Sequence, residues 1–81
     1  MADNTIDLTW TPVVSSHISA YAYDEAAGEL YVKFSNGSLY TFLSVPAAIV
    51  TAWERAPSAG QYFYLAVKNR YLYRRVLTRK G

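Results

Sequence analysis

The sequence predicts an α+β domain: a three-stranded antiparallel β-meander, two short α-helices packed on one face, and then a C-terminal β-strand. Residues 18–43 alternate between two sets of side chains with the period of two that is typical of strands. Asn36-Gly37 interrupts this alternation with the strongest short signal for a hairpin. After residue 45 the apolar side chains recur every three or four positions, as on one side of a helix. Such an order of elements is typical of helices covering one face of an antiparallel sheet.

The strands are the segments ISAYAYD, ELYVKFS and SLYTFLS. If Asn36-Gly37 forms a two-residue type I′ turn, Ser35 pairs with Ser38, and counting outward places Tyr31 opposite Phe42. A similar count across the first loop, DEAAG, places Ala22 beside Leu30.

This register predicts a sheet with one aliphatic face and one aromatic face. The aliphatic face would hold Ile18, Ala20, Ala22, Leu30, Val32, Phe34, Leu39 and Leu43. The aromatic face would hold Tyr21, Tyr23, Tyr31, Tyr40 and Phe42, with Lys33 among them. We expect the helices on the aliphatic face, because burial there removes the most apolar surface from water.

Helix boundaries are marked by local signals. Pro46 fits a first helical turn, where its missing N–H has no partner to lose, and the first helix should end before Pro57. Ser58 and Gln61 match a capping box that begins a second helix, from about residue 59 to 69. The YLYRRV segment that follows predicts the final strand. Outside this domain, residues 13–76, we expect a flexible arm over residues 1–12 and a basic tail over residues 77–81.

A set of ordered positions carries a family resemblance. These are Val14-Ser15-Ser16, Ile18, Tyr23-Asp24, Leu30, Val32, Phe34, Gly37, Tyr40, Phe42, Val45-Pro46, Ala56, Ser58, Gly60, Phe63, Lys68 and Tyr71. With this spacing, residues 13–76 resemble the KTSC domain, a small domain found at the C-terminus of some lysyl-tRNA synthetases and as stand-alone bacterial or phage proteins. The family pattern has Tyr-x-Tyr where this chain has Tyr40-Thr41-Phe42, so a second hydroxyl is missing. The resemblance implies RNA binding.

Composition and charge limit the possible functions. The 81 residues suffice for one domain with a thin core, and a hydrophobic content of 52% excludes a disordered chain. Residues 1–54 contain six acids and one base, whereas residues 55–81 contain seven bases and no acid. This asymmetry favours an anionic partner, or two halves that attract each other.

Single-stranded nucleic acid is bound by aromatic rings, on which bases stack, beside cations that contact phosphates. The candidate rings are Tyr21, Tyr31, Tyr40 and Phe42, and the candidate cations are Lys33, Lys68, Arg70, Arg74 and Arg75. Arg74 and Arg75 are neighbours on a strand, so they should point to opposite faces. The alternative is that the aromatic face is a second core layer, covered by the segment with Trp10, by the last strand or by another subunit.

Catalysis is not expected. Ser16 and His17 are adjacent on an extended segment and cannot readily share a proton, so the serines there should cap a turn. With one histidine and no cysteine, the common metal sites and disulfides are excluded, and we expect no cofactor. The acidic N-terminus and the lack of a long apolar run predict a cytoplasmic protein, in the host cytoplasm if it is phage-encoded.

We therefore expect a non-enzymatic binding module for RNA or another nucleic acid. The alternatives are a bacterial or phage accessory protein that binds another protein or itself through the aromatic face, and a protein that sequesters a small anionic nucleotide.

Overall fold

The computed structural model describes residues 9–76, which form one five-stranded antiparallel sheet and two helices. The elements are β1 (Thr11–Pro12), β2 (Ile18–Asp24), β3 (Glu29–Phe34), β4 (Leu39–Phe42), α1 (Ala47–Arg55), α2 (Ala59–Tyr62) and β5 (Tyr73–Val76). The strands lie in the order β1-β2-β3-β4-β5. Between α2 and β5, residues Phe63–Lys68 form a π-helical segment that continues α2. The predicted α+β class is confirmed, with five strands in the sheet rather than four.

The additional strand lies in the segment predicted to be an arm. Thr11 and Pro12 pair with Tyr21 and Ala20 of β2. Two residues are too few to show the alternation that marks a strand in a sequence, and a proline is tolerated here because β1 is at the sheet edge. The rest of the predicted arm, residues 1–8, and the predicted basic tail, residues 77–81, lie outside the described residues.

The predicted register of the second hairpin is wrong by one residue. The N–H of Phe34 donates to the carbonyl of Ser38 at 2.8 Å, so the loop has three residues rather than two. Gly37 adopts a φ of 94°, as in a turn that ends in a glycine bulge. Tyr31 consequently lies opposite Thr41 instead of Phe42.

The first hairpin is shifted in the same way. Its loop ends at Gly28, with a φ of 69°, and Ala22 lies opposite Tyr31 instead of Leu30. An irregularity between Ile18 and Ala20 then changes the register near the start of β2. Each one-residue slip moves side chains to a different neighbour, and often to a different face.

These shifts determine the two faces of the sheet. The helix-covered face, on which α1 and α2 pack, carries Tyr21, Tyr23, Leu30, Val32, Phe34, Tyr40, Phe42, Tyr73 and Arg75. The opposite face carries Ala20, Ala22, Tyr31, Lys33, Leu39, Thr41, Arg74 and Val76. The predicted separation into an aliphatic and an aromatic face is therefore wrong, since most of the predicted aromatic face lies beneath the helices.

The helices follow the predicted boundaries. Pro46 precedes α1, and the hydroxyl of Ser58 accepts the N–H of Gln61 at 3.3 Å, as the capping box requires. The α1 side chain Trp53 is buried, and its indole N–H donates to the carbonyl of Ala59 at 2.9 Å. This bond ties the end of α1 to the start of α2.

An aromatic cluster around Phe63 forms the centre of the core. Its ring lies 5.3 Å from Phe42, 5.6 Å from Phe34 and 5.7 Å from Trp53, measured between ring centroids. Two of the three contacts are edge-to-face, a geometry worth about 0.5–1.5 kcal/mol per pair beyond the buried area. Phe63 thus fixes the π-helical segment against the helix-covered face.

Candidate nucleic-acid interface

A groove opens between the π-helical segment and the part of the sheet formed by β4 and β5. Its volume is about 260 Å³. The buried Phe42 and Phe63 form its floor, Phe34, Tyr40, Tyr64 and Tyr73 form its sides, and Asn36, Ser38 and Lys68 contribute polar groups at its rim. We call this site the aromatic groove.

The rings of the aromatic groove hold one another in place. The Tyr40 and Tyr73 centroids are 5.5 Å apart, and Tyr40 also meets Phe34 edge-on at 5.5 Å. Tyr73 lies 5.4 Å from the buried Phe42, although Tyr73 itself is 52% exposed. An exposed ring that is fixed by its neighbours loses little conformational entropy when a flat ligand stacks on it.

Lys68 supplies positive charge at the rim. Its ammonium group lies 4.8 Å from the centroid of the Tyr64 ring, within the range of a cation–π contact. Both residues belong to the π-helical segment, a rare geometry that is frequent at functional sites. The contact places a cation beside Tyr64, a residue that is 40% exposed.

Four of the eight tyrosine hydroxyls bond to another residue within 9–76; the three groove tyrosines and Tyr71, which does not line the groove, do not. Elsewhere, the hydroxyls of Tyr21, Tyr23, Tyr31 and Tyr62 donate to Glu54, to the Val45 carbonyl, to Glu29 and to the Ile49 carbonyl, respectively. In the groove, the hydroxyls of Tyr40, Tyr64 and Tyr73 bond to no other residue within 9–76. A hydroxyl is both a donor and an acceptor, so these three are available to a ligand.

Asn36 has a fixed orientation at the rim. Its Oδ1 accepts the backbone N–H of Ser38 at 2.9 Å. Because only an acceptor can meet an N–H group, this bond determines which amide atom is oxygen. The Nδ2 group, with two donors, therefore points away from the turn.

The structure does not bring the eight predicted binding residues together. Tyr40 and Lys68 line the aromatic groove, and Arg75 is opposite Tyr40 on the helix-covered face. Phe42 also lines the groove, but as part of its floor, since it is only 2% exposed. Arg70 follows the π-helical segment, and its Nε donates to the Leu65 carbonyl at 3.4 Å.

The other three predicted residues, Tyr31, Lys33 and Arg74, lie on the opposite face. Tyr31 is 8% exposed, and its pKa is raised by burial and by the hydrogen bond to Glu29. The Lys33 ammonium lies 5.0 Å from the centroid of the Trp10 ring. This face therefore contains a buried ring, and its lysine makes the same kind of aromatic contact as Lys68 does in the groove.

Sequence reasoning missed six of the nine groove residues, Phe34, Asn36, Ser38, Phe63, Tyr64 and Tyr73, of which the exposed rings Tyr64 and Tyr73 matter most. A signal existed for each of these two rings: Tyr64 is four residues before Lys68 in a predicted helix, and Tyr73 alternates with Leu72 and Arg74 in YLYRRV. The missing information was the register, which decides that Tyr73 and Tyr40 share a face.

In the Ser15-Ser16-His17 segment, the Ser15 side chain caps a turn. The Ser15 hydroxyl oxygen accepts the N–H groups of His17 at 3.2 Å and Ile18 at 3.4 Å, as expected of a turn cap. Within residues 9–76, no group of three or more histidine, cysteine, aspartate or glutamate side chains could hold a metal ion. No helix in the same range is both long and apolar enough to cross a membrane.

The fold and the aromatic groove define a class: a small α+β domain with one antiparallel sheet and a two-helix layer on one face. The particular family follows from comparison with known proteins. A profile of the KTSC domain matches residues 14–71, and the chain belongs to this family.

Three relatives illustrate the similarity. A KTSC domain protein from Yersinia pestis has a similar crystal structure, with a TM-score of 0.79 and 30% identity, covering 85% of this chain and 97% of that one. A lysine-tRNA ligase of Nostoc sp. is 36% identical over 58 residues, which are 72% of this chain and 10% of the ligase. An uncharacterized protein of Stutzerimonas stutzeri is 36% identical over 63 residues, 76% of this chain and 89% of that protein. The chain thus spans about a tenth of the matched ligase.

Proposed function

We propose that this KTSC domain is a non-enzymatic, cytoplasmic module that binds single-stranded nucleic acid, RNA in particular, through the aromatic groove. The observation that carries the proposal is the combination, in one groove, of exposed and mutually supported tyrosine rings with the Lys68 ammonium. Bases stack on such rings whatever their identity, and the lysine neutralises a phosphate. Among its relatives are lysine-tRNA ligases, whose name refers to tRNA, and this supports the choice of RNA.

The size of the groove suits part of a strand. Its volume of about 260 Å³ lies below the roughly 300 Å³ at which pockets for drug-sized ligands begin. One base with its sugar-phosphate outside the groove is a reasonable occupant. The exposed Arg75, on the same face as Tyr40, would continue the positive surface along a bound strand.

The proposal is tested by the salt dependence of RNA binding. A single-stranded oligoribonucleotide should bind, and its affinity should fall as salt increases, because phosphate neutralisation releases counterions. Lys68→Gln should lower the salt slope by about 0.7, the value for one phosphate contact on a single strand. Fluorescence anisotropy at several salt concentrations measures both quantities.

Lys33→Gln is the matched control. It removes the same charge from the opposite face, next to Trp10 instead of the groove. The salt slope should then stay at the wild-type value. Absence of binding at low salt, or equal effects of the two substitutions, would contradict the proposed use of the groove.

A second candidate function is contact with another protein or with a second copy of this chain. Two observations favour it. β5 lies at the edge of the sheet, and the apolar side chain of Leu72, just before β5, is 80% exposed. Unpaired edge strands accept further strands. Arg74 and Arg75, however, occupy the middle of β5. If two β5 strands paired antiparallel about their centres, arginine would lie opposite arginine, and like charges that face each other are destabilising. A partner with acidic side chains fits this edge better.

Light scattering over a range of protein concentrations distinguishes this candidate. A mass that rises with concentration and returns to that of one chain in Leu72→Asp would support self-association. A free nucleotide is the third possible ligand, and it would be recognised by competition with RNA for the groove.

A further inference from the structure

We infer that the aromatic groove is a subsite for one unpaired base and that it favours bases with a ring carbonyl, such as uracil and guanine, over adenine. This inference rests on the proposed function and deepens it, because stacking on tyrosine rings alone does not distinguish one base from another. The discrimination is assigned to the polar rim, and in particular to Asn36.

The two ends of the Asn36 amide differ in how many hydrogen bonds they can still make with a ligand. A free asparagine pairs with adenine through two bonds, in which Oδ1 accepts from the exocyclic amino group and Nδ2 donates to a ring nitrogen. Here Oδ1 already accepts the Ser38 N–H at 2.9 Å. The two-bond contact with adenine therefore depends on the one lone pair of Oδ1 that is left, while both Nδ2 donors remain available for a carbonyl oxygen.

The other polar groups of the groove do not reverse this preference. The hydroxyls of Tyr40, Tyr64 and Tyr73 each donate or accept, so they adapt to either kind of base edge. Lys68 is a donor only and is placed for a phosphate or a carbonyl oxygen. The Ser38 hydroxyl at the rim adapts in the same way as the tyrosine hydroxyls. The Nδ2 group and Lys68 are thus the fixed donors, and a carbonyl oxygen, with two lone pairs, can accept from both, whereas each ring nitrogen of adenine has one lone pair.

The turn that holds Asn36 also fixes its distance from the rings. The N–H of Gly37 donates to the Phe34 carbonyl at 2.9 Å, and the N–H of Phe34 donates to the Ser38 carbonyl at 2.8 Å. Phe34 is in edge contact with both Tyr40 and Phe63. A base stacked in the groove therefore meets a donor whose position is set by the same residues that form the groove.

The test compares short oligoadenylate with oligoinosinate of the same length, about eight nucleotides, which is within the usual span of single-strand sites. The two bases differ at the six-position of the ring, where adenine has an amino group and hypoxanthine a carbonyl with a protonated neighbouring nitrogen. Wild-type protein should bind oligoinosinate roughly three- to tenfold more tightly, the value of about one hydrogen bond.

Two variants test whether Asn36 causes the preference for oligoinosinate. Asn36→Ser keeps an acceptor for the Ser38 N–H but has no amide donors, so the affinity ratio should approach one with little change in salt dependence. Asn36→Asp also keeps the acceptor, removes the donors and adds a negative charge, so it should erase the preference and weaken binding to both RNAs. Because the ratio is compared between proteins, any difference in stacking within the free oligonucleotides cancels.

The outcomes separate the inference from the proposed function. An affinity ratio in Asn36→Ser that is unchanged from the wild-type ratio overturns the inference and leaves nucleic-acid binding intact. No binding of either RNA at low salt overturns the proposed function and this inference with it. Circular dichroism of the variants shows whether the fold is retained, and Asn36→Asp provides the second measurement should Asn36→Ser unfold.

Discussion

The two faces of the sheet contain similar residue types and use them differently. On the opposite face, the Tyr31 hydroxyl is bonded to Glu29 and Lys33 lies against Trp10. On the helix-covered face, beyond the reach of α1, Tyr40 and Tyr73 hold their rings in a groove with hydroxyls that bond to no other residue within 9–76. Composition alone would assign both faces to the same function. The comparison shows that similar residue types can be buried on one face and exposed on the other, as Tyr31 and Tyr73 are.

The helix-covered face contains both the core and the groove. Phe63 is buried in the core, whereas the next residue, Tyr64, is partly exposed in the groove wall. Phe63→Ala should lower the free energy of unfolding by about 3–5 kcal/mol, because it leaves a cavity within an aromatic cluster. Tyr64→Ala, one residue on and partly exposed, should cost about 1 kcal/mol or less. Urea unfolding monitored by tryptophan fluorescence measures both, and similar losses for the two variants would mean that the groove wall belongs to the core.

The contribution of the groove to RNA affinity can be measured separately from its contribution to the stability of the fold. Tyr64→Ala should weaken RNA binding by about 1–3 kcal/mol, the contribution of one stacked base. Leu65→Ala is the control, since Leu65 is 67% exposed in the same π-helical segment but does not line the groove. Anisotropy titrations that found equal effects for both variants would place the RNA elsewhere.

The hairpin loop between β3 and β4 maintains the division between the faces. Gly37 has a φ of 94°, and an added Cβ would meet nothing within 4 Å, so the cost of a side chain is conformational rather than steric. Gly37→Ala should lower the free energy of unfolding by about 1–2 kcal/mol. Gly37→Asn should cost less, because asparagine adopts positive φ more readily. Equal stability of the two variants by thermal unfolding would contradict this account of the loop.

An effect that is confined to high pH concerns Tyr21, a tyrosine on the core side of the helix-covered face. Burial, followed by the hydrogen bond to Glu54, raises its pKa from 10.0 to about 12. A raised pKa in the folded state means that the contribution to stability is complete below pH 10 and is lost as the pH approaches 12. The difference in unfolding free energy between wild type and Tyr21→Phe should therefore be constant at neutral pH and fall across this window. A difference that stayed constant up to pH 12 would show that the hydroxyl titrates alike in the folded and unfolded chains.

Local signals predicted most elements of this fold. The alternation around Val32, the capping box at Ser58 and the proline before α1 each act within a few residues, so sequence reasoning could interpret them. β1 was missed because a two-residue strand has no pattern of its own and exists through its pairing with β2. The π-helical geometry of Phe63–Lys68 was also missed, since its side chains show an ordinary helical period.

The candidate site was predicted only in part. Tyr40 and Lys68 were identified by residue type and do line one groove. Tyr31 and Lys33 were grouped with them because a two-residue turn was assumed at Asn36-Gly37. The three-residue loop shifts the register by one position, and this single shift moves Tyr40 to the face that Tyr31 does not share.

The sequence by itself determined the α+β class, the helix boundaries and the concentration of positive charge after residue 54, because these depend on neighbours along the chain. The tertiary structure decided which aromatic side chains are buried and which remain available. That decision depends on hairpin register, and the Asn36-Gly37 signal alone led to a register that is wrong by one residue. The packing of Phe34, Phe42 and Phe63 against one another is satisfied by one register, and it leaves Tyr73 beside Tyr40 at the edge of the core.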